Sequence, residues 1–250
     1  AQRQATKDAG FLAGLNVIKT IEEPYAVDFA YDLEEKGVAK NILVFHLGGG
    51  TCEVSVLYIS DEEYKILSQN GDTNFGGNDF DERVVNHFIN IMKNKYGKDI
   101  SKDKKAVSKL RAKCERAKRS LSSRDQVRIK SISLTEGVEE FSETLTRASF
   151  EELNKDLFEK ILGFVERALD DASLKKKEID VLALVGGSSW IPKVQQLLTN
   201  FFGGKEPLVG DPDFVAAHGA ARCGIALLRE ARDLAAQENK NMEVDDLSKT

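Results

Sequence analysis

Apolar and polar positions recur along this chain with two periods, two residues in some stretches and three to four in others, which reads as strands interleaved with helices. Asn41 to Leu47 is an apolar run, Gly48-Gly49-Gly50-Thr51 follows, and Cys52 to Leu57 alternates again. That pattern predicts strand, tight turn, strand, with Glu62 to Ser68 able to supply a further strand. Ahead of the hairpin, Ala1 to Ala13 reads as a helix stopped at Gly14, and Leu15 to Ile21 as a short strand. Glu22-Glu23-Pro24 then opens a helix to about Leu33, since proline is tolerated in a first turn and acids suit its positive end.

After the hairpin a second glycine-rich loop, Gly71 to Asp79, leads into a helix from about Asp79 to Lys95, with Phe80, Val84, Phe88, Ile91 and Met92 on one face. A charged connection follows, and then a helix from about Lys105 to Ser122. Its Val107, Leu110, Cys114, Ala117 and Leu121 step by three and four as a buried stripe. Arg111, Glu115, Lys118 and Ser122 form a second stripe on another face. This row is either a solvated face with a Glu115–Arg119 pair, worth a few tenths of a kcal/mol, or a set of donors and one acceptor lining a ligand.

Val127 to Leu134 and Glu140 to Thr146 read as a small sheet joined around Gly137. Ser149 with Glu152 three residues on forms a capping box for a helix that keeps its period from Phe150 through about Ala172. Ile179 to Val185 is a short strand, and Gly186-Gly187-Ser188-Ser189-Trp190-Ile191 turns it into a helix from Pro192 to Phe201. Asp211-Pro212 caps a long helix rich in small residues, among them Ala216, Ala217 and Gly219. From about Arg232 the chain becomes polar and charged, and fraying is expected there. Strands alternating with long helices place the chain in the α/β class.

Composition narrows the options. A net charge of -5 over 250 residues gives no support to nucleic-acid binding, and no apolar run approaches membrane-spanning length. Three cysteines at unrelated spacings make neither a disulfide framework nor a zinc site, which favours a reducing compartment. The chain begins without methionine inside an apparent helix and reads as part of something longer.

Two turns carry candidate chemistry. Glycines let a backbone bring unshielded N–H groups close to an anion, and a threonine adds a hydroxyl, so Gly48 to Thr51 is either a phosphate cradle on a hairpin or an ordinary glycine-rich hairpin. The strand–Gly186-Gly187–helix turn is a second candidate nucleotide element, with N–H groups near a helix start.

The stretches AQRQATKDAG, AGLNV, NILVF-LGGGT, NGDT-GG-DFD, CERAKRSLSS, LVGGSS-IPKVQ and DPD-GAA resemble, in family order, the ATPase domain of the seventy-kilodalton heat-shock chaperones, the eukaryotic branch being the nearer fit. The resemblance runs from residue 1 to about Leu228. It implies an actin-like, ribonuclease H-like α/β fold of two lobes closing on Mg-ATP, of which this chain matches the second half. Residues 1–36 would end lobe I, 37–75 and 154–210 would form the core subdomain of lobe II, and 76–153 its small outer subdomain. A helix over 211–231 would return to lobe I, and 232–250 would be a flexible tail.

Residue by residue, the resemblance implies that Gly48, Gly49, Gly50 and Thr51 hold the β- and γ-phosphates. Glu115, Lys118 and Ser122 would face ribose and adenine, with Arg119 beside them, and Gly186, Gly187 and Ser188 would back the adenosine pocket. Asp213 would sit near the phosphates, Asp79 at the edge of the cleft, and Glu23 would be tied to magnesium through water, no residue ligating the metal directly. The partners implied are J-domain co-chaperones, nucleotide-exchange factors on 76–153, and unfolded clients held by a downstream domain. Cytoplasm is the expected compartment, with the endoplasmic reticulum also open. The family's first phosphate loop and catalytic lysine lie upstream of these residues, so weak nucleotide binding and no useful hydrolysis are expected of the chain alone.

Departures from the family pattern cluster at the cleft. His46 replaces an aspartate that helps organise magnesium and the attacking water; a neutral imidazole brings no negative charge, and a protonated one repels the metal. Glu53 replaces a second aspartate one methylene further out, and Trp190 replaces an arginine that stacks on adenine, which an indole can also do. Asp28 stands where the family has a small residue. Two functions follow: an ATP-driven chaperone of protein folding and stress response, or an ATPase-impaired relative serving as a co-chaperone docking or regulatory module.

Overall fold

β1 (Lys40–Leu47) and β2 (Cys52–Ile59) form the hairpin that the alternation around Gly48 to Thr51 predicts, with Leu47 opposite Cys52 and His46 opposite Glu53. β3 (Tyr64–Asp72) runs antiparallel to β2, and the register shifts between Val56 and Leu57. The last strand, β6 (Val181–Val185), pairs parallel with β1, so the sheet has the order β3-β2-β1-β6. A parallel neighbour cannot be reached by a tight turn. The chain between β3 and β6 therefore leaves the sheet and builds α3 (Gly77–Lys95), α4 (Lys104–Ser120), a two-stranded sheet of β4 (Gln126–Thr135) and β5 (Val138–Thr146), and α5 (Arg147–Leu153) and α6 (Lys155–Asp171). This mixed sheet with helices is the α/β, actin-like arrangement expected from the sequence. The structure, a computed structural model, describes residues 1–35, 37–135 and 138–247; at 131–135, 138–140 and 238–247 it describes the backbone alone.

Strand alternation sends Leu43, Phe45, Leu47, Val54 and Val56 into one core with the apolar stripe of α6, Phe158, Ile161, Phe164, Val165 and Ala168. Phe75, Phe80, Phe150 and Phe158 pack ring against ring in the same core, with centroids 5.2 Å apart for Phe80 and Phe158. The buried stripe predicted for α4 is there: Leu110, Cys114, Ala117 and Leu121 are buried, and Val107 packs against them half-exposed. Asp103 caps this helix, its Oδ1 accepting from the N–H groups of Lys105 and Ala106.

Several elements differ from the expectation. Leu15 to Ile21 joins no strand among the described residues, and Leu15 and Ile18 are exposed, because a period-two pattern makes a strand only where a neighbour completes the ladder. The capping box at Ser149 is not formed; Thr146 caps α5, its Oγ1 accepting from Ser149 N–H. The single long helix predicted onward from Ser149 is two. Asn154, fully buried, donates from Nδ2 to the Phe150 carbonyl at 2.8 Å and so takes the acceptor that a continuing helix would use. α7 (Pro192–Phe201) lies where predicted. α8 (Val215–Leu247) begins after a turn that follows Asp211-Pro212, and its backbone is helical past Arg232, where composition predicts fraying. The joint at Gly137 lies outside the described residues.

By contacts the chain divides into two units, 1–35 with 214–250, and 36–213. In the first, α1 (Gln2–Leu12) buries no residue, while α2 (Glu23–Tyr31) packs on α8. The small-residue stripe of α8 has a direct cause there: a Cβ on Gly219 would fall 1.7 Å from the Ala26 carbonyl oxygen. Among the described residues no helix is long and apolar enough to cross a membrane.

Candidate functional site

The second unit brings both glycine turns to one place. Gly48 N–H donates to the Thr51 carbonyl at 2.9 Å and closes the hairpin turn. The loop before α3 is then sewn to it, Gly77 N–H donating to the Gly48 carbonyl at 2.9 Å and Asn78 N–H to the Gly49 carbonyl at 2.7 Å. These bonds use the turn's carbonyls and leave the N–H groups of Gly49 and Gly50 without an acceptor among the described residues. Both glycines are exposed, and a Cβ on either would meet nothing nearer than the Asn78 side chain at 3.9 Å.

The other turn is built the opposite way. Gly186 has φ +85, donates to the Pro212 carbonyl at 2.9 Å, and would put a Cβ 2.4 Å from the Leu47 carbonyl oxygen. A Cβ on Gly187 would fall 2.3 Å from Asp213 Oδ1, and one on Gly77 2.2 Å from Ser188 Oγ. Ser188 is buried, and Trp190, at the end of the short 3-10 turn Gly187–Trp190, is 41% exposed.

Between these turns and α4 lies a cavity of about 390 Å³. The end of α4 lines it with Glu115, Lys118, Arg119 and, just beyond, Ser122; Gly187, Ser188, Trp190 and Asp213 line it from the other side, with Gly49 between. The stripe on α4 that sequence alone left as either solvated or ligand-lining thus borders a cavity at three of its four positions. Arg119 and Glu115 make their i, i+4 pair at 2.9 Å. Lys118 is buried and donates to the Gly77 carbonyl at 2.8 Å and to Asp81 Oδ2 at 2.7 Å.

Other expected site residues stand apart from the lining. Asp79 Oδ2 accepts from Gly76 N–H at 2.8 Å, so its carboxylate serves the start of α3. Gly48, Gly50, Thr51 and Gly186 frame the turns rather than the cavity wall. Glu53 is exposed on β2, its Oε1 accepting from Ser55 Oγ at 3.1 Å and Gln69 Nε2 at 3.2 Å. The His46 imidazole lies against both turns: a Cβ on Gly48 would be 3.1 Å from its Nε2, and one on Gly186 2.5 Å from its Cδ2. Glu23 opens α2 in the other unit.

Asn78, Asp81 and Ile191 also line the cavity and were not singled out from the sequence. Asp81 carried a usable signal, since it shares a helical face with Val85, Phe88 and Met92, where an acid is out of place. It is 3% exposed, its Oδ1 has no hydrogen-bond partner among the described residues, and burial pushes its carboxyl up from the usual range against the pull of Lys118.

The donor set suits a nucleotide: open amides and a hydroxyl for phosphate, charged and hydroxyl groups for a ribose, and an indole beside them for a base. Among the described residues no group of three or more His, Cys, Asp and Glu side chains is placed to hold a metal ion. The cysteines are free and buried, and burial pushes the Cys52 and Cys114 thiols up to about 12.

The family model for Hsp70 protein matches residues 1–244. Heat shock 70 kDa protein BIP3 of Oryza sativa subsp. japonica is similar to this chain, 53% identical over 223 residues that make up 88% of the chain and 33% of that protein. The chain therefore spans about a third of the length of this relative. With its mixed sheet, its paired glycine turns and a family match over nearly all its residues, the chain belongs to the Hsp70 family and corresponds to part of the family's ATPase domain.

Proposed function

We propose that the chain is the nucleotide-binding half-domain of an Hsp70-type chaperone, taking ATP or ADP with magnesium and serving the coupling of ATP hydrolysis to protein folding. The observation that carries this reading is the Gly49-Gly50 turn. Neither residue has a backbone conformation that requires glycine, an added Cβ on either would be uncrowded, and both have amides without an acceptor among the described residues, Gly49 at the wall of a cavity of about 390 Å³. A turn whose glycines the fold does not require is best explained by a ligand that approaches the backbone closely. The bound nucleotide supplies a polyanion whose phosphates carry the magnesium. The amides of Gly49 and Gly50 and the Thr51 hydroxyl donate to that polyanion, while Glu115, Lys118 and Ser122 orient the ribose and Trp190 flanks the base.

In this reading the complete ATPase domain hydrolyses ATP, although His46 stands against both turns where the family pattern carries an aspartate. The position of His46 favours the ATPase-impaired reading, in which binding survives as a docking or regulatory device. J-domain co-chaperones, exchange factors on 76–153 and unfolded clients are the partners of the complete chaperone. The three free cysteines fit the cytoplasm, and endoplasmic-reticulum staining of a tagged protein would reverse that assignment.

Titration calorimetry with MgADP tests binding, and no heat of binding to the chain defeats the proposal. Single-turnover ATP hydrolysis by the complete ATPase domain, with and without His46→Asp, separates the two readings. Equal rates show His46 to be harmless, whereas hydrolysis gained only on His46→Asp supports the impaired module.

A further inference from the structure

Lys118 meets the nucleotide reading with an ammonium that is already held in place. It has three N–H donors. One goes to the Gly77 carbonyl at 2.8 Å and one to Asp81 Oδ2 at 2.7 Å, and the third has no acceptor among the described residues. The Lys118 and Asp81 side chains are 9% and 5% exposed, and both residues line the cavity. Gly77 makes room for this arrangement, since a Cβ there would lie 3.1 Å from Lys118 Nζ. The same glycine donates its N–H to Gly48, so the ammonium also braces the loop that is sewn to the open turn.

We propose that Asp81 is a positioning residue for the nucleotide, acting through Lys118 by fixing where its one remaining donor can point. This rests on the nucleotide reading above. A purely structural role explains the pair poorly. A buried ion pair is often no more stabilising than apolar residues of similar volume, and Asp81 sits among Val85, Phe88 and Met92 on a buried face. Its Oδ1 has no partner among the described residues. Its burial raises its pKa, and Glu115 adds to that while Lys118 and Arg111 oppose it. Such an acid is costly to the fold, and what it provides in return is a lysine with a single orientation.

The test is a double-mutant cycle on MgADP affinity, by titration calorimetry of the chain with Asp81→Asn, Lys118→Met and both. Asp81→Asn is expected to weaken binding about tenfold when Lys118 is present and by less than about twofold in the Lys118→Met background. Equal losses in both backgrounds indicate a merely structural role and overturn the proposal, as does an Asp81→Asn chain that binds as tightly as its parent. A parent that binds no MgADP brings down the nucleotide reading itself, and this inference with it. If Asp81→Asn does not fold, nitrogen-15 lysine spectra of the unaltered chain carry the test. The Lys118 ammonium signal shifts on adding MgADP if the proposal holds, and an unmoved signal overturns it.

Discussion

The two glycine turns that meet at the cavity have opposite reasons for their glycines. At Gly186 the fold demands glycine, with φ +85 and backbone 2.4 Å from the absent Cβ, and at Gly187 the Asp213 carboxylate, 2.3 Å from an added Cβ, would have to swing aside. At Gly49 and Gly50 the fold is indifferent, the nearest atom being 3.9 Å away. A glycine-rich motif in a sequence therefore mixes two kinds of constraint, packing and ligand approach. Coordinates separate them by asking what an added Cβ would meet. The packed turn holds the strand–helix junction in shape, and the open turn leaves its amides for something else.

Substitutions can break this contrast. The largest expected effect is at the packed turn, where Gly186→Ala combines left-handed backbone strain with a clash against main chain. It should lower the stability of the chain by about 4 kcal/mol, read as the urea midpoint. A loss below about 1 kcal/mol would erase the distinction between the turns.

Next comes a buried acid that no cation among the described residues partners in a hydrogen-bonded ion pair. Asp81 has Lys118, whereas Asp28 on α2 is 6% exposed with an orphaned Oδ1, and burial, with Glu34 and Asp32 adding to it, pushes its carboxyl up to about 6. Between the ordinary carboxyl value of 3.8 and about 6, the folded state then holds a proton that the unfolded state has already lost. Stability should rise as pH falls through about 6 toward the unfolded value, and the charged form should penalise the fold above 6. Asp28→Asn is accordingly expected to stabilise the chain by about 2 kcal/mol at neutral pH and to flatten this rise. Thermal melts across pH 4.5 to 8 read both, and unchanged pH dependence in the variant would remove Asp28 from the account.

At the open turn the effect should move from stability to binding. Gly49→Ala is expected to leave the stability read from urea unfolding within about 0.5 kcal/mol of the parent while weakening MgADP by about tenfold, because in the proposed nucleotide reading the methyl would stand where phosphate oxygens approach. A variant that loses stability and keeps affinity would invert the comparison. The smallest effect is that of Trp190→Ala, about 1 kcal/mol of MgADP affinity from lost stacking, with little change in stability because the indole is 41% exposed. Comparing MgADP with inorganic pyrophosphate sharpens this result, since only the nucleotide has a base to lose.

Local pattern carried most of the secondary structure. The alternation around Gly48 to Thr51, the three-and-four spacing of Leu110, Cys114 and Ala117, and the Gly186 to Pro192 junction all depend on near neighbours, and the chain spells them out. The motif order along the chain carried the family. What needed coordinates involves partners distant in sequence. Leu15 to Ile21 has the composition of a strand but no ladder to join. Asn154 breaks a helix by taking an acceptor with a side chain whose direction no periodicity reveals. Asp81 meets Lys118 across 37 positions, and the carbonyls of Gly48 and Gly49 are occupied from a loop almost thirty residues on. The sequence showed that the two turns were rich in glycine; which glycines the fold itself requires depended on what lies within 4 Å of each, and such neighbours are set by how distant segments pack.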